Sequence, residues 1–255
     1  MSAPDLHCAV TGSGPDLVLL HPVGLDGALW GGLIERCAPF RRVIAVDQRG
    51  HGRSPAARKG ATMADYVADT NAALERAGVD KAVILGLSFG GMIAQEFALT
   101  YPERVSGLVL CGCPGAMPPE ARPMILERGL AAERGGMAAV VDGTIERWFT
   151  ADFRAQPVVE TVRQRLLSDD VAGWSAAWTA IADFAALPRL GAVRAPTLVV
   201  SGSADVATPV AASTALAAAI PGAELAVLPG ASHMMQFEGA ELFAETVTRF
   251  LKTAA

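Results

Sequence analysis

Short apolar runs rich in Val, Leu and Ile recur along this chain of 255 residues and alternate with helical patterns. The runs are RRVIAVD (41–47), KAVILG (81–86), RVSGLVLCG (104–112), PTLVVSG (196–202) and AELAVLP (223–229). They are continuous rather than alternating, which is typical of strands buried on both faces. Strands separated by helices predict a mainly parallel sheet covered by helices, so the chain is expected to be an α/β protein.

The start of the chain predicts a further feature, an opening hairpin. Two apolar stretches in LHCAVTGSGPDLVLLH (6–21) are separated by Gly12, Ser13, Gly14 and Pro15. These residue types favour a tight turn between two strands.

Capping signals mark several helices. Thr62 is predicted to cap a helix whose third residue is Asp65 and whose C-terminal stop is Gly78. Two later helices are expected to begin near Pro209 and Gly239.

A long interval between Gly115 and about Leu187 interrupts the alternation of strands and helices. It contains no good strand and predicts helices at about 119–134, 137–149, 157–168 and 171–183. We therefore expect an α/β core and an inserted helical lid, with the boundaries 1–114 and 188–255 for the core and 115–187 for the lid.

Three of the four tryptophans lie in this predicted lid. Trp174 and Trp178 are four residues apart and Ile181 follows three later, which is the spacing of one helical stripe. These rings either pack the insertion against the sheet or cover a pocket.

Composition excludes several classes of partner. The net charge of −5 argues against binding to nucleic acid, which needs a basic surface. No apolar run reaches the roughly 18 residues that cross a bilayer, and the N-terminal residues have no secretory signal pattern. Cys8, Cys37, Cys111 and Cys113 do not form a disulfide framework in a chain of this length, and Cys111 and Cys113 resemble buried apolar residues more than metal ligands. These features favour the cytoplasm.

The candidate nucleophile lies in VILGLSFGGMIAQEFA (83–98), where a buried strand turns directly into a helix. Residues 86–90 match the pattern G-x-S-x-G, with Ser88 at the centre. Such a tight turn requires small residues two positions before and after the serine, and it exposes the hydroxyl above the sheet at the helix N-terminus. A purely structural turn needs no serine there.

A serine hydroxyl requires a base to take its proton, so this interpretation requires a histidine. His233 follows the last predicted strand on a loop, where a base can reach the carboxyl edge of the sheet, and it is the best candidate. The other histidines are His7 in the first strand, His21 at a strand end, and His51 in a loop whose glycines and arginine suggest a structural role.

The base in turn needs an acceptor that holds its tautomer. Asp205 follows the strand PTLVVSG by three residues and is the best candidate. It could instead cap the helix near Pro209, although Thr208 can serve that purpose. Asp183 and Asp47 are weaker alternatives.

Backbone donors are needed for the oxyanion that forms during acyl transfer. Phe89 follows the nucleophile, and its N–H points towards the helix start. A second donor is expected in the loop LLHPVGLDG (19–27), where Pro22 has no N–H. Val23 is therefore the first choice and Gly24 the second.

With these residues assigned, the chain resembles the α/β-hydrolase superfamily from end to end, because the order Ser, acid, His is the one found there. Five segments are similar to the 3-oxoadipate enol-lactonase family: DQRGHGRS (47–54), GLSFGGMIAQ (86–95), YPERVSGLVL (101–110), RGGMAAVVDGTIERWFTADFR (134–154) and APTLVVSGSADVATP (195–209). The segment 134–154 lies in the predicted lid and is the most discriminating of the five.

The resemblance implies the α/β-hydrolase fold and hydrolysis of an enol-lactone to a 3-oxo acid. It carries the catalytic roles over to Ser88, Asp205 and His233. It implies a small-molecule ester or lactone as the partner and calls for no metal or organic cofactor.

An enol-lactone of this type also carries a free carboxylate, which is costly to bury without a partner. Trp148 is predicted to line the apolar roof of the pocket. The partner of the carboxylate remains open among Arg147, Arg134 and the backbone.

Three other functions use the same fold. A small-ester carboxylesterase or perhydrolase and a carbon–carbon bond hydrolase would use the same triad with another pocket. A ligand receptor would keep the triad and turn over very slowly.

Overall fold

A computed structural model describes residues 4–58 and 60–253. Its centre is one sheet whose strands follow the order β1-β3-β2-β4-β5-β6-β7. The strands are β1 (Cys8–Thr11), β2 (Asp16–Leu20), β3 (Arg42–Val46), β4 (Ala82–Leu87), β5 (Val105–Cys111), β6 (Thr197–Gly202) and β7 (Glu224–Leu228). Only β1 is antiparallel to its neighbour, so the mainly parallel sheet predicted from the apolar runs is confirmed.

The predicted opening hairpin is wrong, because β3 lies between β1 and β2. β1 pairs with β3, with Cys8 opposite Val46 and Thr11 opposite Val43, whereas β2 pairs in parallel with β3 and β4. The glycines between β1 and β2 instead allow the backbone to lie close to the residues that precede β3. At Gly12, whose φ is +80°, a Cβ atom would lie 2.4 Å from the carbonyl oxygen of Arg41.

Helices cover both faces of the sheet, and β4 and β6 are buried along their whole length. The helices are α1 (Gly31–Cys37), α2 (Met63–Arg76), α3 (Phe89–Thr100), α4 (Arg122–Gly135), α5 (Ala138–Trp148), α6 (Pro157–Leu167), α7 (Val171–Ala182), α8 (Val210–Ala219), α9 (Met235–Glu238) and α10 (Ala240–Thr253). α1 packs against α10, and α2 packs against α3. The capping box at the start of α2 is confirmed, since Thr62 Oγ1 accepts from the Asp65 N–H and the Asp65 carboxylate accepts from the Thr62 N–H.

Helices α4 to α7 form the segment between β5 and β6, and they match the four predicted helices within about three residues at each end. The two ends of the segment meet. The Ala186 N–H donates to the Gly115 carbonyl at 2.9 Å, and the Met117 N–H donates to the Phe184 carbonyl at 2.9 Å. We call residues 115–187 the helical segment; its role as a lid stays a prediction.

Within the described ranges, no helix is long and apolar enough to cross a membrane. All four cysteines are free, and Cys37, Cys111 and Cys113 are buried.

Candidate active site

Ser88 occupies a strained turn between β4 and α3. Its φ of 53° and ψ of −114° make it the one non-glycine residue with positive φ among residues 4–58 and 60–253. The turn is possible because its flanking residues have no side chain. A Cβ atom at Gly86 would lie 2.2 Å from the carbonyl oxygen of Gly90, and one at Gly90 would lie 2.1 Å from that of Leu20. Backbone contacts thus require the two glycines of the G-x-S-x-G pattern. The backbone strain falls on Ser88, which is partly exposed, and strained residues of this kind cluster at functional sites.

His233 contacts Asp205 at the carboxyl edge of the sheet. Its Nδ1 lies 2.9 Å from Asp205 Oδ2, and the two residues are 2% and 5% exposed. A carboxylate only accepts hydrogen bonds, so Nδ1 carries a proton, and in the neutral imidazole the lone pair is on Nε2. The arrangement is the one that a general base requires.

Backbone N–H groups donate hydrogen bonds to the other oxygen of Asp205. Oδ1 accepts from the N–H groups of Ala207 and Thr208, both at 2.8 Å. Thr208 does not cap α8, which begins after Pro209 without a side-chain cap, so that expectation is wrong. These bonds fix the rotation of the carboxylate towards His233.

The two alternative acids lie elsewhere. Asp183 is exposed and pairs with Arg122 at 2.7 Å. Asp47 is buried, and its oxygens accept from the backbone N–H groups of Gly27 and Arg53. Neither contacts His233.

The end of β5 connects the serine turn to the His–Asp pair. The Ser88 N–H donates to the Cys111 carbonyl at 2.8 Å. The next residue, Gly112, has φ +49°, and a Cβ atom there would lie 3.3 Å from both Asp205 Oδ2 and His233 Nδ1. Gly112 was missed as a site residue; the signal was the glycine directly after a buried strand in LVLCGC. Within the described residues, Ser88 Oγ makes no hydrogen bond, so Ser88 and His233 are not hydrogen-bonded to each other in this structure.

The helical segment holds the loop of His233. The carbonyl of Trp148 accepts from Ser232 Oγ at 2.7 Å and from the Met234 N–H at 3.2 Å, so the residues on both sides of His233 are tied to it. The Trp148 ring is buried, with its centroid 6.2 Å from that of His233. The structure thus brings Trp148 to the base.

Val23 and Phe89 are buried beside the serine turn. Neither backbone N–H has an acceptor among the hydrogen bonds of residues 4–58 and 60–253, so both donors are free to bind a substrate oxygen. Buried N–H groups without partners are rare, and they are expected where a ligand supplies the acceptor.

His21 holds the loop that carries Val23. Its Nδ1 donates to the Pro22 carbonyl at 2.7 Å, and its Nε2 accepts from the Gln48 N–H at 2.9 Å. Complete burial and the neighbouring His51 hold the pKa of His21 well below its usual range, so the ring is neutral. The sequence showed only that His21 ends a strand; its partner at the end of β3 is distant in the chain.

An apolar cavity of about 260 Å³ lies beside these loops. Its wall includes Leu25, two residues after Val23, and Phe237, four residues after His233, together with Val162 of α6. No group of three or more His, Cys, Asp or Glu side chains that could hold a metal ion occurs in the part of the chain that the structure describes.

Residues 17–246 match the model of the alpha/beta hydrolase family. The pimeloyl-[acyl-carrier protein] methyl ester esterase of Aeromonas hydrophila is 30% identical over 248 residues, which are 94% of this chain and 96% of that protein. 3-Oxoadipate enol-lactonase 2 of Acinetobacter baylyi is 27% identical over 93% of this chain and 89% of its own length. The crystal structure of the enol-lactonase from Burkholderia xenovorans superposes with a TM-score of 0.93 at 30% identity and covers 98% of this chain and 99% of that one. This chain is therefore an enzyme of the alpha/beta hydrolase family, and it resembles the enol-lactonases within it.

Proposed function

We propose that this enzyme hydrolyses a small carboxylic ester or lactone through an acyl-enzyme on Ser88, with His233 as base and Asp205 as its acceptor. The observation that carries the proposal is the 2.9 Å contact from His233 Nδ1 to Asp205 Oδ2, beside the strained turn of Ser88. We take the substrate to be an enol-lactone of the 3-oxoadipate type. The similarity to enol-lactonases supports this choice.

Each step uses a group of this chain. Ser88 Oγ attacks the ring carbonyl and passes its proton to His233 Nε2. The Nδ1–H of the resulting imidazolium remains hydrogen-bonded to Asp205. The N–H groups of Val23 and Phe89 bind the oxyanion, and each such donor typically lowers the barrier by about 3 kcal/mol. Ring opening expels an enolate, a better leaving group than an alkoxide, and the imidazolium gives its proton to it. The neutral His233 then takes a proton from the water that attacks the acyl-enzyme and passes it to Ser88 Oγ as the acid is released.

The charges of the helical segment favour a small-molecule substrate over an acidic protein partner. Such a partner needs free basic side chains on the surface. Instead, exposed arginines are occupied by carboxylates of the same chain, as in the pairs Arg122–Asp183 and Arg134–Glu127. The free cysteines are in keeping with a reducing compartment, so we expect the reaction in the cytoplasm.

Turnover of 4-nitrophenyl acetate and of an enol-lactone tests the proposal. We expect wild type to hydrolyse both, with the higher kcat/KM on the enol-lactone, and Ser88→Ala to hydrolyse neither. Ser168→Ala is the matched control because Ser168 is exposed and its hydroxyl donates to the Arg165 carbonyl at the end of α6. Equal values on the two substrates would favour a general carboxylesterase or perhydrolase. Turnover confined to a carbon–carbon bond substrate, or slow single turnover, would indicate a C–C hydrolase or a ligand receptor.

A further inference from the structure

Two arginines of the helical segment differ from the other five because, among the described residues, their guanidinium groups have no hydrogen-bond or ion-pair partner. The segment contains seven arginines, and five of them are bound within the chain. Those five are Arg122 to Asp183, Arg134 to Glu127, Arg163 to Asp142, Arg165 to Asp26, and Arg154 to the carbonyls of Phe149 and Glu146. Arg128 and Arg147 make no hydrogen bond or ion pair through their guanidinium groups within residues 4–58 and 60–253.

Arg128 is half-buried between α4 and α7. Its guanidinium carbon lies 4.6 Å from the centre of the Trp178 ring, and its own carbonyl accepts from Trp174 Nε1 at 2.9 Å. Trp178 is 6% exposed, and its Nε1 is buried with no acceptor among the described residues. A buried indole N–H normally finds a partner, so this one is available to a ligand.

Arg147 lies near Arg128, on α5. Burial, together with repulsion between the two positive charges, lowers the pKa of Arg128 to about 10. Burial also lowers the pKa of Arg147, whose neighbour Glu146 opposes the shift only in part. Two like charges that are partly removed from water, with no carboxylate paired to either among the described residues, are costly unless an anion joins them.

Contacts connect both arginines to the candidate active site. The Trp178 ring packs edge-to-face on Trp174 with centroids 5.6 Å apart, and a Cβ atom at Gly24 would lie 2.7 Å from the Trp174 ring. Gly24 directly follows Val23, the oxyanion donor. On the other side, Arg147 precedes Trp148, whose ring faces His233.

We propose that the guanidinium groups of Arg128 and Arg147 and the Nε1–H of Trp178 form a subsite for a carboxylate at the substrate end remote from the scissile carbonyl. The inference rests on the proposed ester or lactone hydrolysis and assigns the residues that bind the free carboxylate of such a substrate, so monoesters of dicarboxylic acids are expected to be substrates as well as the lactone. Guanidinium groups suit this role because they bind carboxylates in bidentate geometry. Arg134, an earlier candidate, is exposed and already paired with Glu127.

Two esters that differ only in the remote group test the subsite: mono-4-nitrophenyl adipate and its methyl ester at the distal carboxyl. The measured quantity is the ratio of their kcat/KM values for release of nitrophenolate. We expect wild type to prefer the free carboxylate, and Arg128→Gln and Arg147→Gln each to lower the ratio by about 10- to 100-fold, the size expected for a lost charged hydrogen bond. Arg134→Gln, on the same helix as Arg128, should leave the ratio within about twofold. An unchanged ratio in both subsite variants, or no preference in wild type, would overturn the proposal.

A binding measurement separates this proposal from the hydrolysis on which it rests. Monomethyl adipate is titrated calorimetrically into Ser88→Ala and into Ser88→Ala combined with Arg147→Gln, which removes no stacking contact. If Arg147→Gln weakens binding at least tenfold, the subsite is supported. This holds even if wild type hydrolyses neither ester, and in that case only the proposed reaction fails. If wild type hydrolyses both esters and the two variants bind monomethyl adipate equally well, the proposed reaction is supported and the subsite is refuted.

Discussion

The carboxyl edge of the sheet and the helical segment above it are built in different ways. At the edge, position is set by the backbone: Ser88 is held at positive φ, and Gly86 and Gly90 allow main chains to touch. In the helical segment, position is set by side chains, through arginine–carboxylate pairs on the surface and tryptophans packed edge-to-face inside. From this difference we propose that the edge determines the chemistry and the helical segment determines the choice of substrate. Substitutions should therefore be far more damaging in the first region than in the second.

The largest effect is expected at Ser88. Ser88→Ala removes the nucleophile from a turn whose geometry depends on its glycines, so we expect kcat to fall by at least about 10⁴-fold. Circular dichroism and the melting temperature should stay near the wild-type values. A pure variant that keeps more than about a hundredth of the activity would show that the edge does not determine the chemistry as we argue.

A matched pair of glycine substitutions compares the two regions directly. In Gly90→Ala the new methyl would meet the Leu20 carbonyl at 2.1 Å, so we expect a loss of about 3 kcal/mol or more in the free energy of unfolding, with loss of activity. In Gly143→Ala, inside α5, the nearest atom is Arg147 Nη1 at 3.7 Å. There we expect a gain of about 0.5–1 kcal/mol from the higher helix propensity of alanine. Denaturant unfolding measures both, and similar losses in the two variants would contradict the comparison.

The pH dependence of stability tests the neutral His21. Its pKa is lowered on folding, so below the ordinary value of about 6.5 the unfolded chain binds a proton that the folded chain does not. His21 therefore lowers stability as pH falls from about 7 to 5, by up to about 1.4 kcal/mol per pH unit.

His21→Asn removes this dependence. At pH 8 we expect it to cost about 1–3 kcal/mol, because the buried Gln48 N–H loses its acceptor. The difference in unfolding free energy between wild type and variant should then shrink as pH falls. A difference that is constant with pH would mean that folding does not lower the pKa of His21.

The smallest effect is expected where the two regions meet. Ser232→Ala removes one buried hydrogen bond to the Trp148 carbonyl and leaves the bond from the Met234 N–H. We expect a loss of about 1 kcal/mol in stability and a fall of a few-fold in kcat, since the His233 loop is held less firmly. Ser203→Ala, whose hydroxyl accepts from the Gly230 N–H on the exposed surface, is the control and should change kcat little. A fall in kcat of the same size in both variants would show that Ser232 does not position the His233 loop.

The two regions also differ in how far their residues could be predicted. Ser88, Asp205 and His233 each follow a predicted strand, and parallel strands bring their carboxyl ends together, so residues distant in sequence could be assigned to one edge. The helices of the segment were predicted because their periodicity is local. The hairpin of β1 and β2 was predicted wrongly, since turn residues do not reveal that β3 inserts between the two strands. Arg128 was not predicted, because a missing partner becomes visible only when α4, α5 and α7 are packed together.

Covalent labelling tests the central claim most directly. A serine-directed phosphonate is incubated with wild type and with the control Ser168→Ala, and the modified peptide is identified by mass spectrometry. We predict one equivalent bound to the peptide that contains Ser88 in both proteins, complete loss of activity at that stoichiometry, and protection by the carboxylated lactone. An adduct on another residue, or full labelling of Ser88 with activity retained, would contradict the assignment of Ser88 as the nucleophile.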